Sequence, residues 1–128
     1  MSTKKTEHLG LHAWEPQDEF LRSEFNENFQ KLDGILVTGS YMGDGKGERR
    51  IDLGFKPAAV LLCNNTGQMG FAAGVNQTAG GLFFEGCPID GTSSRLAAEV
   101  TETGFRVRHI ECNQVNAQNT RYHYLALR

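Results

Sequence analysis

Cysteine, proline and tryptophan are scarce in this sequence, with 3, 3 and 1 copies. Cys63, Cys87 and Cys112 are too few for a disulfide framework. Cys63 lies in an apolar run and reads as a buried thiol. Long apolar runs are also missing. None approaches the ~20 residues that a membrane span needs, so no membrane insertion is expected. Neither sign of charge dominates: 13 Lys and Arg stand against 15 Asp and Glu, a net charge of -2. That balance supplies no broad field for gripping a polyanion, and no nucleic acid partner is expected. The opening residues Met1-Ser-Thr-Lys-Lys-Thr-Glu-His8 lack the apolar stretch of a secretory signal, which predicts synthesis in a cytosol.

What is present is unevenly distributed. The 128 residues make one domain, or one domain with an arm. Residues 1–36 carry Lys4, Lys5, Arg22 and Lys31 against seven acids, a net of -3, and the remainder carries nine bases against eight acids, a net of +1. Of the 15 glycines only Gly10 precedes Gly34. The texture therefore predicts an arm with an oligomerisation helix over 1–36 and a β domain over 37–128.

In the first segment Phe20, Leu21, Phe25, Phe29 and Leu32 recur at helical steps and form one apolar stripe. Pro16 suits a first helical turn, with Glu15 or Asp18 at the start. Asp33-Gly34 ends the helix, Gly34 serving as a left-handed cap. A helix this short is marginal alone in water, so the stripe needs a partner, either the β domain or copies of itself.

From Ile35 onward strands and turns alternate. Strands are predicted over 35–41, 50–55, 58–63, 70–75, 81–85, 95–101, 105–109 and 120–127. Gly43-Asp44-Gly45-Lys46-Gly47 is a tight loop, and Glu102-Thr103-Gly104 a compact hairpin turn. Parity along the strands puts Phe55, Val60, Leu62, Leu96, Val100, Phe105 and Val107 in the core. Ala58–Cys63 and Tyr122–Leu127 are apolar on both faces, more than a two-layer sandwich needs. The fold expected is mainly β: a short N-terminal helix, then an antiparallel β-sandwich or jelly roll. No βαβ alternation occurs.

Catalytic and metal motifs are thin. The 43–47 loop lacks the Gly-Lys-Ser/Thr ending of a phosphate loop, and no helix follows it. Ser93 or Ser94 with Asp90 and a histidine has no nucleophile elbow around it. Glu99, Glu102 and Glu111 could be drawn as paired carboxylates, but alternating strand charges read as a solvated face. His8/His12 and His109/Cys112 have ligand-like spacing, yet neither comes with a second pair. No catalytic residue, metal or cofactor is expected. Binding has more to rest on. Asn113, Gln114, Asn116, Gln118 and Asn119 crowd one loop, beside His109, Arg121 and Tyr122. Amides offer donor and acceptor together, which suits sugar hydroxyls, and an aromatic face can cover a sugar ring.

Three stretches carry a resemblance. His8-Leu-Gly-Leu-His-Ala-Trp14 with Glu24-Phe-Asn-Glu-Asn-Phe-Gln-Lys-Leu-Asp33 resembles the N-terminal segment of tail-fibre and receptor-binding proteins of phages and prophages of Gram-positive gut bacteria. Gly39-Ser-Tyr-Met-Gly-Asp-Gly45 through Arg50-Ile-Asp-Leu-Gly-Phe-Lys-Pro57 and Val60 resembles the first hairpin of phage tail β domains. Asn119-Thr-Arg-Tyr-His-Tyr-Leu-Ala126 is similar to the Tyr-x-Tyr-x-Ala ending of the same proteins. The β portion also resembles the H-type lectin module, a six-stranded trimeric sandwich that binds N-acetylgalactosamine-type sugars. Phe55, Pro57, Val60 and the Thr103-Gly-Phe-Arg-Val107 hairpin carry that likeness. The lectin's last-strand tryptophan has no counterpart here; Tyr124 or a neighbour stands in its place, so the family's sugar ligands do not transfer.

These resemblances imply a virion tail component made in the bacterial cytoplasm. It would be a homotrimer that attaches to a bacterial cell-surface glycan and assembles with other phage tail proteins. The alternatives are a structural tail or baseplate subunit with no receptor contact, and a small glycan-active enzyme.

Overall fold

The computed structural model describes residues 1–70, 78–91, 95–109 and 114–128. The strand expected over 70–75 falls, from Phe71 on, outside them. The chain divides into two compact units, Met1–Ile35 and Leu36–Arg128. No helix among the described residues is long and apolar enough to cross a membrane.

The first unit pairs two short strands, β1 (Lys4–Lys5) and β2 (His12–Ala13), and adds helix α1 (Arg22–Leu32). The helix starts six residues later than Pro16 suggests, because Asp18 is engaged elsewhere. Its carboxylate accepts from the Glu15 N–H at 2.8 Å and from the Thr3 N–H and hydroxyl at 2.9 Å, which fastens the chain start to the 15–18 turn. Leu21 stands extended at the N-cap with no side-chain cap. The end follows the sequence: the Asp33 N–H donates to the Phe29 carbonyl, and Gly34 takes φ +77°.

This unit is inverted relative to an ordinary fold. Its one buried side chain among the described residues is a carboxylate, Glu24. Glu24 accepts from the Trp14 indole N–H at 3.1 Å and the Ser2 N–H at 2.8 Å. Asn28 clasps the His12 backbone in both directions, accepting from its N–H and donating to its carbonyl. Phe20, Phe25, Phe29 and Leu32 are exposed. The three phenylalanine rings continue from Trp14 as a ladder, with centroids 4.6, 5.3 and 4.7 Å apart in turn.

The second unit has two four-stranded antiparallel sheets. One has the order β3 (Leu36–Met42), β10 (Arg121–Leu127), β5 (Ala59–Cys63), β6 (Gly81–Phe84). The other has the order β4 (Glu48–Asp52), β9 (Gly104–Arg108), β8 (Arg95–Thr101), β7 (Ile89–Gly91). Inward residues of both form one core around Phe105. That ring meets Tyr41, Phe83 and Tyr124 of the other sheet at 6.3, 5.8 and 5.2 Å. Val60, Leu62, Val107, Val115, Tyr122 and Ala126 fill it. The arrangement is mainly β, antiparallel and consistent with a β-sandwich.

Phe55 and Val100 pack at the margin of this core, and Leu96 is not part of it. The pairing of β7 with β8 slips between Ile89 and Asp90, so Ile89 faces Ala98 while Asp90 faces Leu96. A bulge of this kind flips side-chain parity. Leu96 therefore leaves the core face, and Ala97 and Ala98 are both buried.

The outer faces of the sheets differ. On the β3–β10–β5–β6 sheet, register aligns Leu36 with Leu127, Ala59 and Phe84, and Thr38 with Leu125, Leu61 and Leu82. Leu36, Leu61, Leu82, Phe84 and Leu127 are all exposed. On the other sheet Arg106 pairs with Glu99 and Glu48, and Arg108 lies 3.7 Å from Glu99.

Candidate functional site

The amide-rich loop before β10 is a structural clasp as much as a surface. It meets the Gly43–Gly47 loop backbone to backbone. The Gly43 N–H donates to the Thr120 carbonyl at 2.8 Å, and the Gly45 N–H to the Asn116 carbonyl at 2.9 Å. A Cβ on Gly43 would stand 2.0 Å from the Ala117 oxygen, so only glycine allows this approach.

Asn116 is fully buried. Its amide donates to the Asp44 carboxylate at 2.6 Å and to the Lys46 carbonyl at 3.1 Å, and its oxygen accepts weakly from the Asp44 N–H at 3.3 Å. The Lys46 N–H first, then the Asn116 amide, hold the Asp44 carboxyl below the usual range. Tyr122 is 1% exposed. Its hydroxyl donates to the Gln114 carbonyl at 2.8 Å and accepts from the Ala117 N–H at 3.1 Å. Tyr41 stacks on it at 5.2 Å and donates to the Val115 carbonyl at 2.6 Å. Burial pushes both phenols up. The Arg49 guanidinium covers the Tyr41 ring at 5.3 Å and donates to the Met42 carbonyl.

The residues expected to bind are thus placed in two groups. Asn116 and Tyr122 are locked inward, and the Tyr122 ring offers no face on which a sugar could stack. Gln114 is half-buried and contributes its backbone carbonyl to the clasp. Gln118, Asn119 and Arg121 are exposed. Asn119 takes φ +64°, a left-handed turn position that asparagine tolerates. Arg121 donates to the Ser40 hydroxyl at 3.0 Å. His109 is half-buried beside the 43–47 loop, its N–H donating to the Gly47 carbonyl, and its Nδ1 has no partner among the described residues. Asn113 lies outside the described residues, as do Ser93, Ser94, Glu111 and Cys112. Of the carboxylates drawn as catalytic, Glu99 pairs with Arg106, and Glu102 with Lys56 at 3.1 Å. The exposed rim of Gln118, Asn119, Arg121, Asp44 and Lys46 can exchange hydrogen bonds with a polyhydroxyl ligand from a rigid base. Trp14 gives its indole N–H to Glu24.

Sequence reasoning did not find a second concavity. An open cavity of about 580 Å³ lies on the outer face of the β3–β10–β5 strands, lined by Thr38, Ser40, Leu61, Cys63, Met69 and His123 among others. Its residues are far apart in sequence, and sheet register alone brings them together.

No family model, curated protein or solved structure matches the chain.

Proposed function

We propose that the chain is a tail-fibre or receptor-binding component of a phage or prophage. It assembles as a homotrimer with other tail proteins and attaches to a bacterial surface glycan. The observation that carries this reading is the pairing of two surfaces on one small chain. A polar rim of Gln118, Asn119 and Arg121 is held on a rigid clasp, and large apolar surfaces stand uncovered elsewhere. A single sugar contact of this type is weak, about -4 kcal/mol at millimolar affinity. Three copies presenting it together gain ~10²–10⁴ in avidity, so recognition and assembly support each other.

The β domain is read as H-type-lectin-like on its two antiparallel sheets and the Thr103–Val107 hairpin. It departs from that family in having eight strands among the described residues rather than six, and in its last strand, where Tyr124 or a neighbour stands in place of tryptophan; Tyr124 packs edge-on to Phe105. The protein is read as non-enzymatic. A structural baseplate subunit with no receptor contact is the second reading, favoured by the burial of Asn116 and Tyr122.

A glycan array probed with the labelled oligomer separates the two. Retention on a defined set of glycans, reduced in Arg121→Ala and Gln118→Ala, supports attachment. A correctly assembled oligomer that binds no glycan and no bacterial cell supports the structural role.

A further inference from the structure

We propose that Cys63, Met69 and His123 form a site for a soft monovalent metal ion, copper(I), on the outer face of the β3–β10–β5 sheet. All three line the same cavity. His123 stands directly opposite Cys63 in the β10–β5 register. Both have the outward parity, since their neighbours Tyr122 and Leu62 are buried in the core. Directly opposed residues on one face have Cβ atoms ~4.5–5.5 Å apart. That separation lets a thiolate and an imidazole converge on one ion at bond lengths of about 2.0–2.3 Å.

The third donor is delivered by a tight return of the chain. The Asn64 side-chain oxygen accepts from the Thr66 N–H at 3.0 Å, the Thr66 hydroxyl at 2.9 Å and the Gln68 N–H at 2.9 Å. The Asn64 N–H donates to the Gln68 carbonyl at 3.0 Å. Gly67, at φ +76°, supplies the left-handed position that this turn requires. Met69 follows at once and lines the cavity next to the strand end that carries Cys63.

The donor set selects the ion. A thiolate, a thioether and an imidazole favour a soft cation, and among the described residues no carboxylate lines the cavity to hold Ca²⁺ or Mg²⁺. The hydroxyl nearest His123 across the β3–β10 pairing, that of Ser40, is occupied by Arg121. Leu61 and Leu125 wall the cavity and favour a low coordination number. Among the described residues no group of three or more His, Cys, Asp or Glu is placed to hold a metal, so the thioether is what makes this a site. Binding forms a metal–sulfur bond and releases the Cys63 proton to water. No electron is transferred.

The test uses the full chain with Cys87→Ser and Cys112→Ser, so that Cys63 is the only thiol. Copper(I) is titrated under reductant against a chromophoric chelator, and zinc(II) is titrated in parallel. Native mass spectrometry gives the stoichiometry. The expected result is one copper(I) per chain, with Cys63 protected from alkylation by the metal. Cys63→Ser abolishes binding. His123→Asn and Met69→Leu each weaken it by more than the ~10-fold lower bound for loss of an outer-shell partner. Met69→Leu conserves volume and keeps the fold, so its result is readable even if another variant is destabilised. Absence of stoichiometric binding overturns the proposal. So does an affinity unchanged in Met69→Leu, which would make the thiol an unspecific trap, or a preference for zinc(II) over copper(I).

Discussion

The two units of the chain solve the problem of burial in opposite ways. Leu36–Arg128 buries aromatic rings and aliphatic side chains between sheets and leaves its ion pairs outside. Met1–Ile35 buries a glutamate and leaves its phenylalanines outside. Apolar burial stabilises by roughly 25 cal/mol per Å², so the first unit forgoes within one chain the term that holds the second together. It is fixed by hydrogen bonds of modest net worth. In the proposed homotrimer, copies of the chain would cover this ladder of exposed rings. The exposed leucine rows of the β3–β10–β5–β6 sheet repeat the pattern on the larger unit.

Substitutions should separate these two modes of stabilisation. The largest effect is expected at Phe105, which touches both sheets: Phe105→Ala should lower the stability of the β unit by ~3–5 kcal/mol. A denaturant melt that loses less than about 1 kcal/mol would show that the core is not centred there. Asn116→Ala comes next. It strips the Asp44 carboxylate and the Lys46 carbonyl of their partner and should cost ~1–3 kcal/mol, read in the same melt. Glu24→Ala should act on the other unit alone. Trp14 is the single tryptophan and donates to Glu24, so its fluorescence should shift while the β-unit melt stays in place. A shifted β-unit melt would show that the units do not stabilise separately.

Acid gives the smallest and most selective effect. Asp18 is held low chiefly by the Glu15 and Thr3 N–H groups, and Glu27 chiefly by its hydrogen bond to His12. A carboxyl lowered in the folded state stabilises in full above its ordinary value, here 3.8 for Asp18 and 4.5 for Glu27, and the contribution is lost as pH falls through the lower folded value. Trp14 fluorescence should therefore change below about pH 4.5, and Asp18→Asn should flatten that response. An unchanged profile in the variant would remove Asp18 from the account.

The sequence made the strand parity of β9 legible, because Phe105 and Val107 alternate with Arg106 and Arg108, whereas Val60 and Leu62 of β5 alternate with residues as apolar as themselves. The hairpin at Glu102–Gly104 was legible for the same local reason. The failures were non-local. Leu96 was misplaced by a bulge at the adjacent Ala97, which appears only in the β7–β8 register and not in the residue pattern of β8. The helix start was misplaced because Asp18 answers to Thr3 at the far end of the arm. β1, β2 and β7 are too short for a pattern to emerge. At the candidate site, amide density pointed to the right loop and could not separate Asn116, which clasps, from Gln118 and Asn119, which face solvent. Tyr122 was misleading because its strand is apolar on both faces, so parity gives no sign. The Cys63–His123 pairing exists only through the β5–β10 register, across about half the chain.

In the proposed homotrimer, copies of the chain cover the apolar surfaces of α1 and the β3–β10–β5–β6 sheet. Light scattering on the eluting protein at micromolar concentration measures this directly. The expected mass is three times the 14.2 kDa of one chain, falling to the single-chain value in a Phe25→Ser, Phe29→Ser double variant whose β unit still melts normally. A mass of 14.2 kDa for the unaltered protein would contradict it.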